Sequence, residues 1–187
     1  PLAYRTFAAQ TGTVYFSFLL RYESGGAGGT FESNDFLQFG FNDDTNVSGS
    51  GSIGKLSNNT RFGARIGGAN GGGTTESLSN MTSFTTFFLV GKMSKSTVGG
   101  DYDTMELFLN PSSSTEPTTP TAIDTATTGF SSFSYFTLRT SSVESEDLYY
   151  FDELRIGDSF ADVVVPEPSS ALLGLGALGL AALRRRR

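Results

Sequence analysis

The chain has 187 residues and a formal net charge of -6, from 13 Lys plus Arg against 19 Asp plus Glu, and it contains neither Cys nor His. Its length is that of about one domain. The lack of Cys and His excludes disulfides, thiolate or imidazole metal sites and Ser-His-Asp catalysis. The excess of negative charge disfavours nucleic acid as a partner, because an acidic surface repels the phosphate backbone.

The first residues of the printed sequence differ from those of a signal peptide. It opens at Pro1 without a basic or an apolar run, and a strand pattern is established by about Thr13. We therefore expect an N-terminus that is truncated or processed. If the protein is exported, its signal peptide lies upstream of Pro1; the alternative is a cytosolic protein that lacks only its Met.

Apolar residues recur with a period close to two along most of the chain, which is typical of strands with one buried face. Val14, Phe16 and Phe18, for example, alternate with Tyr15 and Ser17. The pattern predicts at least seven strands, at 14–21, 36–41, 61–66, 84–93, 104–109, 133–139 and 148–156. Many short antiparallel strands in one domain predict an all-β fold, a two-sheet jelly-roll sandwich.

The last predicted strand and two connections carry more specific expectations. The apolar side chains that line this strand all stand at even positions, namely Leu148, Tyr150, Leu154 and Ile156. Residues 42–54 are rich in Gly, Ser, Asn and Asp and are interpreted as a turn-rich connection. Residues 111–128 are rich in Ser, Thr and Pro, which predicts one long surface loop.

The composition changes sharply near the C-terminus. Three valines at 163–165 lead into Pro166-Glu167-Pro168, an apolar run at 171–183 and a final cluster of basic residues, namely Arg184, Arg185, Arg186 and Arg187. We expect the apolar run to form a short hydrophobic helix of about 20 Å, less than the roughly 30 Å core of a bilayer. The arginines would hold the extreme C-terminus on the cytoplasmic side of a membrane.

These features resemble the PEP-CTERM sorting signal of bacterial exported proteins. The resemblance rests on Val165-Pro166-Glu167-Pro168, the Ala, Leu and Gly segment and the terminal arginines. It implies recognition by an exosortase, a membrane-embedded cysteine transpeptidase, with cleavage near the motif and release or attachment at the cell surface. Pro166, Glu167 and Pro168 would be the recognition motif, 171–183 the temporary membrane segment and the four arginines the stop. The chain then divides into a sandwich at 1–162 and a sorting signal at 163–187.

A second resemblance concerns the body of the chain. Residues 88–92, 105–111 and 151–157, the last of them ahead of 160–163, are similar to segments of laminin-G-like or concanavalin A-like jelly-roll domains, which accompany PEP-CTERM tails in many bacterial surface proteins. Members of these families bind glycans, often with calcium, or serve as adhesive modules, and some related sandwiches are glycoside hydrolases. The resemblance supports the sandwich fold, whereas a shared fold does not by itself assign a function.

Catalytic carboxylates are not evident in the sequence. A retaining glycosidase needs two carboxyl groups about 5 Å apart, and the Glu-x-Asp-x-x-Glu strand motif of jelly-roll hydrolases does not occur here. The nearest acidic clusters, at 144–147 and 101–103, lie in polar turns and are interpreted as solvated loop charges. We therefore expect that the protein is not an enzyme.

One loop could bind calcium. Asn42, Asp43, Asp44 and Asn46 gather the oxygen ligands that Ca²⁺ prefers, directly after a predicted strand. The alternative is plain turn chemistry, which uses the same residue types. Tyr102 could add an exposed aromatic ring for a sugar, or it could pack on the edge of the sandwich.

Together, these patterns predict an exported bacterial surface or extracellular-matrix protein. An exosortase would process its tail after a stage anchored in the inner membrane, and its sandwich would bind carbohydrate, such as the polysaccharide of a biofilm. The two alternatives are a secreted carbohydrate-active enzyme and a purely structural matrix component without a small ligand.

Overall fold

The computed structural model describes residues 2–24, 35–44, 51–56, 60–67, 74–143 and 147–164. These residues form eleven β-strands and one short helix, and the predicted helix at 171–183 lies outside them. The elements are β1 (Leu2–Gln10), β2 (Val14–Ser24), β3 (Phe36–Asn42), β4 (Gly51–Lys55), β5 (Arg61–Arg65), β6 (Thr74–Asn80), β7 (Thr86–Ser94), β8 (Thr104–Leu109), β9 (Ala122–Thr125), β10 (Phe133–Ser141), β11 (Asp147–Gly157) and α1 (Phe160–Val163).

The strands are arranged in two antiparallel sheets. The six-stranded sheet has the order β1-β10-β3-β4-β5-β6, and the five-stranded sheet has the order β11-β2-β7-β8-β9. The two sheets pack face to face, so the predicted sandwich is confirmed. Strands that are distant in sequence lie side by side, since β10 separates β1 from β3 and β2 separates β11 from β7.

Phenylalanine side chains fill the space between the sheets. Phe18 of the five-stranded sheet lies 4.2 Å from Phe39 of the six-stranded sheet, between ring centroids, and Phe16 meets Phe41 edge-on at 4.9 Å. All four side chains are buried. Aromatic pairs of this geometry add to the free energy of apolar burial. The period-two pattern of the sequence therefore identified the inner faces of β2 and β3 correctly.

Two predicted connections contain strands. Four of the five residues of β4 lie in the segment 42–54, and β9 lies in the segment 111–128. Both strands are short, and β4 has a single large apolar residue, Ile53, so neither shows a clear alternation. The close approach of β3 and β4 requires glycine on both strands: a side chain on Gly40 of β3 would collide with the carbonyl oxygen of Gly51, and one on Gly54 of β4 would collide with the carbonyl oxygen of Leu37.

The two lateral edges of the sandwich differ. At one edge β9 lies against β5 and β6, and the buried carboxylate of Asp124 accepts a 2.8 Å hydrogen bond from the backbone N–H of Ile66. At the other edge β1 and β11 are the outermost strands of their sheets, and a groove opens between them. This open edge is therefore the candidate binding region of the sandwich.

Candidate functional site

The groove between β1 and β11 has a volume of about 440 Å³. Phe7 and Phe136 of the six-stranded sheet and Val14 of the five-stranded sheet contribute apolar surface to it. Arg5 and Asp158 also line the groove and bring one charge of each sign. Such a combination of apolar walls and a few polar groups is typical of small-ligand sites.

A β-bulge in β11 completes the groove. Asp152 pairs with Leu19 and Arg155 pairs with Ser17, so β11 contains one residue more than β2 between these pairs. Glu153 in the bulge has a φ of 55°, a left-handed conformation that is uncommon for a residue with a side chain. The extra residue shifts the phase of the side chains along the rest of the strand.

The bulge also corrects the prediction for the last strand. Before it, Tyr149 and Phe151 face the core, while Leu148 and Tyr150 are exposed on the opposite face. After it, Leu154 and Ile156 line the groove and remain 38% and 44% exposed. The even positions of β11 therefore do not share one face, because a bulge inverts the alternation.

The chain leaves the sandwich on the outer face of the five-stranded sheet. There a second, smaller hydrophobic cluster, the second core, is formed by Tyr15, Val90, Phe108, Phe160, Val163 and Val164. Phe160 meets Phe108 and Tyr15 edge-on, with ring centroids 5.3 and 6.1 Å apart. The predicted boundary between residues 162 and 163 thus falls inside a packed element, and the fold extends to Val164.

Residues 159–164 form a compact latch around α1. The Ser159 hydroxyl accepts a hydrogen bond from the N–H of Asp162, whose carboxylate accepts one from the N–H of Ser159, which is a capping box. The Val164 N–H donates to the carbonyl oxygen of Phe160 at 3.0 Å. The buried Ser17 hydroxyl of β2 donates to the carbonyl oxygen of Val163 at 2.7 Å. Both backbone and side-chain contacts therefore hold the latch.

A charged network borders the second core. The Lys92 ammonium contacts Glu116 at 2.7 Å and Glu106 at 3.0 Å, and the Tyr15 hydroxyl donates to Glu116 at 2.8 Å. Burial opposes the charge of Lys92, but its two carboxylate partners outweigh burial and raise the pKa of Lys92. Burial and the bond to Glu116 raise the pKa of Tyr15 to about 12. The network ties the segment after β8 to the five-stranded sheet.

Comparison with known proteins identifies the segment that follows the latch. Residues 164–187 match the model of the PEP-CTERM protein-sorting motif. The chain carries a PEP-CTERM sorting motif. The motif implies export, a stage anchored in a membrane through the C-terminal region, and an exosortase as the processing partner.

The sorting motif begins at a residue of the fold. Val164, its first residue, is 4% exposed and belongs to the second core. The predicted recognition residues Pro166, Glu167 and Pro168, the apolar segment 171–183 and the arginines at 184–187 lie outside the described residues. Among the residues that the structure describes, none belongs to a helix with the length and apolar character needed to cross a bilayer.

The sandwich itself is similar to a solved enzyme structure. The crystal structure of endo-beta-1,4-glucuronan lyase from the fungus Trichoderma reesei aligns with a TM-score of 0.54 and 12% sequence identity, over 84% of this chain and 73% of that chain. At this identity the likeness shows the fold alone. No curated protein gives a significant match to the sequence.

The predicted calcium residues lie at the end of β3. Asn42 is its last residue and is buried, and its side-chain oxygen accepts a 3.2 Å hydrogen bond from the N–H of Asp43. Asp43 and Asp44 are exposed, and Asn46 lies outside the described residues. Within the described ranges, no three acidic residues form a group that could hold a metal ion. The calcium site, which also counts amide oxygens, stays a prediction.

Tyr102 is a packed residue and does not offer an exposed ring. Its side chain is buried against Phe130 and Phe133, and its hydroxyl donates to the carbonyl oxygen of Gly12 at 2.6 Å. The Lys95 ammonium lies 4.5 Å from the centroid of its ring. Of the two interpretations of Tyr102, packing on the sandwich is the correct one, and the sugar platform predicted there is wrong.

Carboxylates of the two acidic clusters accept hydrogen bonds from backbone N–H and hydroxyl groups. Asp103 accepts hydrogen bonds from the Ser96 backbone and from the Ser96 and Thr104 hydroxyls. Asp147 accepts a 2.6 Å bond from the Tyr22 hydroxyl, and residues 144–146 of the same cluster lie outside the described part of the chain. Both aspartates thus have structural partners. Asp103 lies directly before β8, as its assignment to a turn predicts, whereas Asp147 is the first residue of β11, so the turn predicted for it is wrong.

A buried lysine between the sheets was not predicted. Lys55, the last residue of β4, is fully buried, and its ammonium donates to the carbonyl oxygen of Asp35. Burial lowers the pKa of Lys55 to about 8, against an opposing effect of the Asp35 charge. No pattern in the sequence indicates this buried ammonium, because Lys55 adjoins a segment that is interpreted as a loop.

Proposed function

We propose that the protein is an exported surface or extracellular-matrix protein that an exosortase sorts through residues 164–187, and that its sandwich binds polysaccharide in the groove between β1 and β11. The observation that carries the proposal is the match of the PEP-CTERM motif at residues 164–187, C-terminal to the strands of the sandwich. The mature protein is then the sandwich, delivered to the cell surface or the surrounding matrix.

The sorting half of the proposal assigns roles to the tail. Pro166, Glu167 and Pro168 are recognised by the exosortase, residues 171–183 cross the membrane temporarily, and the arginines at 184–187 remain on the cytoplasmic side. Replacing Glu167 with Ala should leave a full-length species in the membrane fraction of the host. Asp101→Ala, an acidic turn residue outside the motif, is the matched control and should be processed normally. Mass spectrometry that finds the mature protein intact to Arg187 would contradict the sorting role.

The chemistry of the groove supports a carbohydrate ligand. A sugar ring presents C–H groups that pack on apolar side chains, such as Phe7 and Ile156, and hydroxyls that require polar partners. Arg5 and Asp158 supply such partners at the same groove, and no residue of the described chain forms an ion pair with Arg5. The fold relative is named as a lyase of a polysaccharide, glucuronan, which makes acidic polysaccharides a reasonable first set of probes.

A pair of substitutions tests the groove. Ile156→Arg places a charge in the groove, whereas Ile123→Arg places it on β9 at the opposite edge, and the two isoleucines are 44% and 43% exposed. On a glycan array, Ile156→Arg should lose polysaccharide binding and Ile123→Arg should retain it. Equal binding by both variants would contradict the groove as the site. Absence of binding by the unmodified protein would favour a structural matrix component.

Binding without catalysis is part of the proposal. Incubation of the purified protein with polysaccharides should release no new reducing ends and no unsaturated uronate, which would absorb in the ultraviolet. Release of unsaturated uronate would favour the enzyme alternative, as would new reducing ends without it. The first result would indicate a lyase and the second a hydrolase.

The proposed calcium site has its own test. If Asn42, Asp43, Asp44 and Asn46 bind Ca²⁺, the ion should raise the melting temperature, because a ligand of the folded state stabilises that state. Replacing Asp43 and Asp44 together with Asn should abolish the rise. An unchanged melting temperature between chelator and millimolar calcium would reject the site and leave the turn interpretation.

A further inference from the structure

We propose that the latch, residues 159–164, controls access of the exosortase to the sorting motif, so that the enzyme acts only on chains whose latch has undocked from the outer face of the five-stranded sheet. This inference rests on the proposed sorting function. It concerns residues of the fold, which precede the recognition motif and are not part of it.

The first argument is the position of the motif. Only Val165 separates Pro166 from Val164, and Val164 is packed in the second core. An enzyme that takes a peptide segment into its active site needs residues on both sides of the reacting bond to be free of the fold. Val164 and the latch residues before it are therefore withheld from the enzyme as long as the latch is docked.

The second argument is the short tether. Seven residue steps separate Val164 from Ala171, the first residue of the apolar segment. Even fully extended, they span at most about 25 Å. The sandwich is thus held close to the membrane while the tail is inserted, and little chain is available to bypass the latch. Freeing the residues from 159 onward would roughly double the available chain.

The third argument is the nature of the contacts. Phe160 is held by Tyr15 and Phe108, and the Ser17 hydroxyl holds the carbonyl oxygen of Val163, all on the outer face of one sheet. None of these contacts belongs to the cluster between the sheets. A terminal segment attached in this way can open locally while the sandwich remains folded. When opening is fast relative to cleavage, the cleavage rate follows the population of the open state.

Two variants that each remove one buried hydroxyl separate the latch from general stability. Ser17→Ala removes the hydroxyl that bonds Val163, whereas Thr137→Val removes a buried hydroxyl of β10 that bonds the carbonyl oxygen of Gly40. In pulse-chase labelling of the full-length chain in its host, Ser17→Ala should be processed about two- to tenfold faster than the unmodified protein. Thr137→Val should be processed at the unmodified rate.

Hydrogen exchange measures the opening directly. The Val164 amide, bonded to the Phe160 carbonyl oxygen, should exchange faster in Ser17→Ala by the same factor as processing accelerates, while amides of β7 keep their protection. Faster exchange at Val164 with unchanged processing would overturn the latch and leave the sorting function intact. If the host processes another PEP-CTERM protein but not the unmodified chain, the sorting function fails and the latch with it.

Discussion

The main core between the sheets and the second core outside them join different parts of the chain. The main core joins the two sheets through rows of phenylalanine, and neither sheet can expose it without losing the fold. The second core covers one patch of the five-stranded sheet with α1 and Val164. The first joins the two sheets, and the second attaches the last described residues to the outer face of one sheet.

The surroundings of the two cores shift the pKa of a lysine in opposite directions. Lys55 points between the sheets, where burial lowers its pKa to about 8. Lys92 lies on the outer face beside the second core, where Glu106 and Glu116 raise its pKa in spite of burial. The comparison shows that the interior holds an ammonium at a cost, whereas the outer face uses one to attach a segment of chain.

The largest expected effect comes from truncating the main core. Phe39→Ala removes a buried ring that contacts Phe18 at 4.2 Å and Phe151 at 4.8 Å, between centroids. We expect the free energy of unfolding, measured in urea, to fall by about 3–5 kcal/mol. Leu78→Ala, at an exposed position of β6, should change it by less than about 0.5 kcal/mol. Similar losses for the two variants would contradict the description of the core.

The next largest effect is the pH dependence of the free energy of unfolding that Lys55 causes. Its pKa is lower in the folded state than the ordinary value of 10.5, so above about pH 8 the unfolded state binds more protons, and stability rises with pH. Between about pH 8 and 9.5 we expect a gain on the order of 1–2 kcal/mol. Lys92 adds little to the slope there, because its pKa is raised in the folded state and has the ordinary value of 10.5 in the unfolded state, so its ammonium stays charged in both.

The variant Lys55→Met isolates this contribution. It replaces a buried ammonium with an apolar side chain of similar length, so its unfolding free energy should be nearly flat over the same pH range. Lys92→Met should retain the rise. A flat profile for the unmodified protein would show that Lys55 keeps an ordinary pKa and would remove the contrast between the two lysines.

The main core could be predicted from sequence because its residues repeat. Phe16, Phe18, Phe39 and Phe41 stand at alternate positions, and burial of one face of a strand requires that period. The features that escaped prediction depend on distant contacts or on backbone conformation. The bulge at Glu153 needs a left-handed residue, and β4 depends on the close approach of Gly40 and Gly51.

The functional regions divide in the same way. The sorting motif is a local sequence pattern, so it could be predicted from the sequence, and the match at residues 164–187 confirms it. The groove is formed by two strands that are more than 100 residues apart and by a bulge. No local sequence pattern predicts such a site. The docking of the latch was not predicted, although residues 160–163 belong to the resemblance to jelly-roll domains, because the predicted boundary between 162 and 163 separates Phe160 from Val163 and Val164.

Loosening the second core should have a smaller and more local effect than loosening the main core. Phe160→Ala removes the ring that meets Tyr15 and Phe108, and the latch can then open without the sandwich. The loss of global stability should remain below the roughly 3–5 kcal/mol expected for Phe39→Ala. Hydrogen exchange should show lost protection at Val164 only. Loss of protection throughout β2 and β7 would mean that the two cores unfold together.

The smallest effect concerns the hydroxyl of Tyr15. Tyr15→Phe keeps the ring against Phe160 but removes the 2.8 Å bond to Glu116, which should cost about 0.5–1.5 kcal/mol. Burial favours the neutral form of Glu116, but the bonds from Lys92 and Tyr15 outweigh it and lower the pKa of Glu116. A carboxylate with a lowered pKa stabilises the fold above its ordinary pKa, and that stability is lost as the pH falls through the folded value.

Without the Tyr15 hydroxyl, the Glu116 carboxylate should become protonated at a higher pH. As the pH falls, the latch should therefore detach from the outer face of the five-stranded sheet at a higher pH in Tyr15→Phe than in the unmodified protein. A pH series of Val164 amide exchange would detect this. Tyr102→Phe is the matched control, because it removes a hydroxyl that bonds the Gly12 carbonyl oxygen next to the main core. Its acid profile at Val164 should be unchanged, since no carboxylate accepts that bond. If the two variants shift the profile equally, the charged network is not what holds the second core in acid.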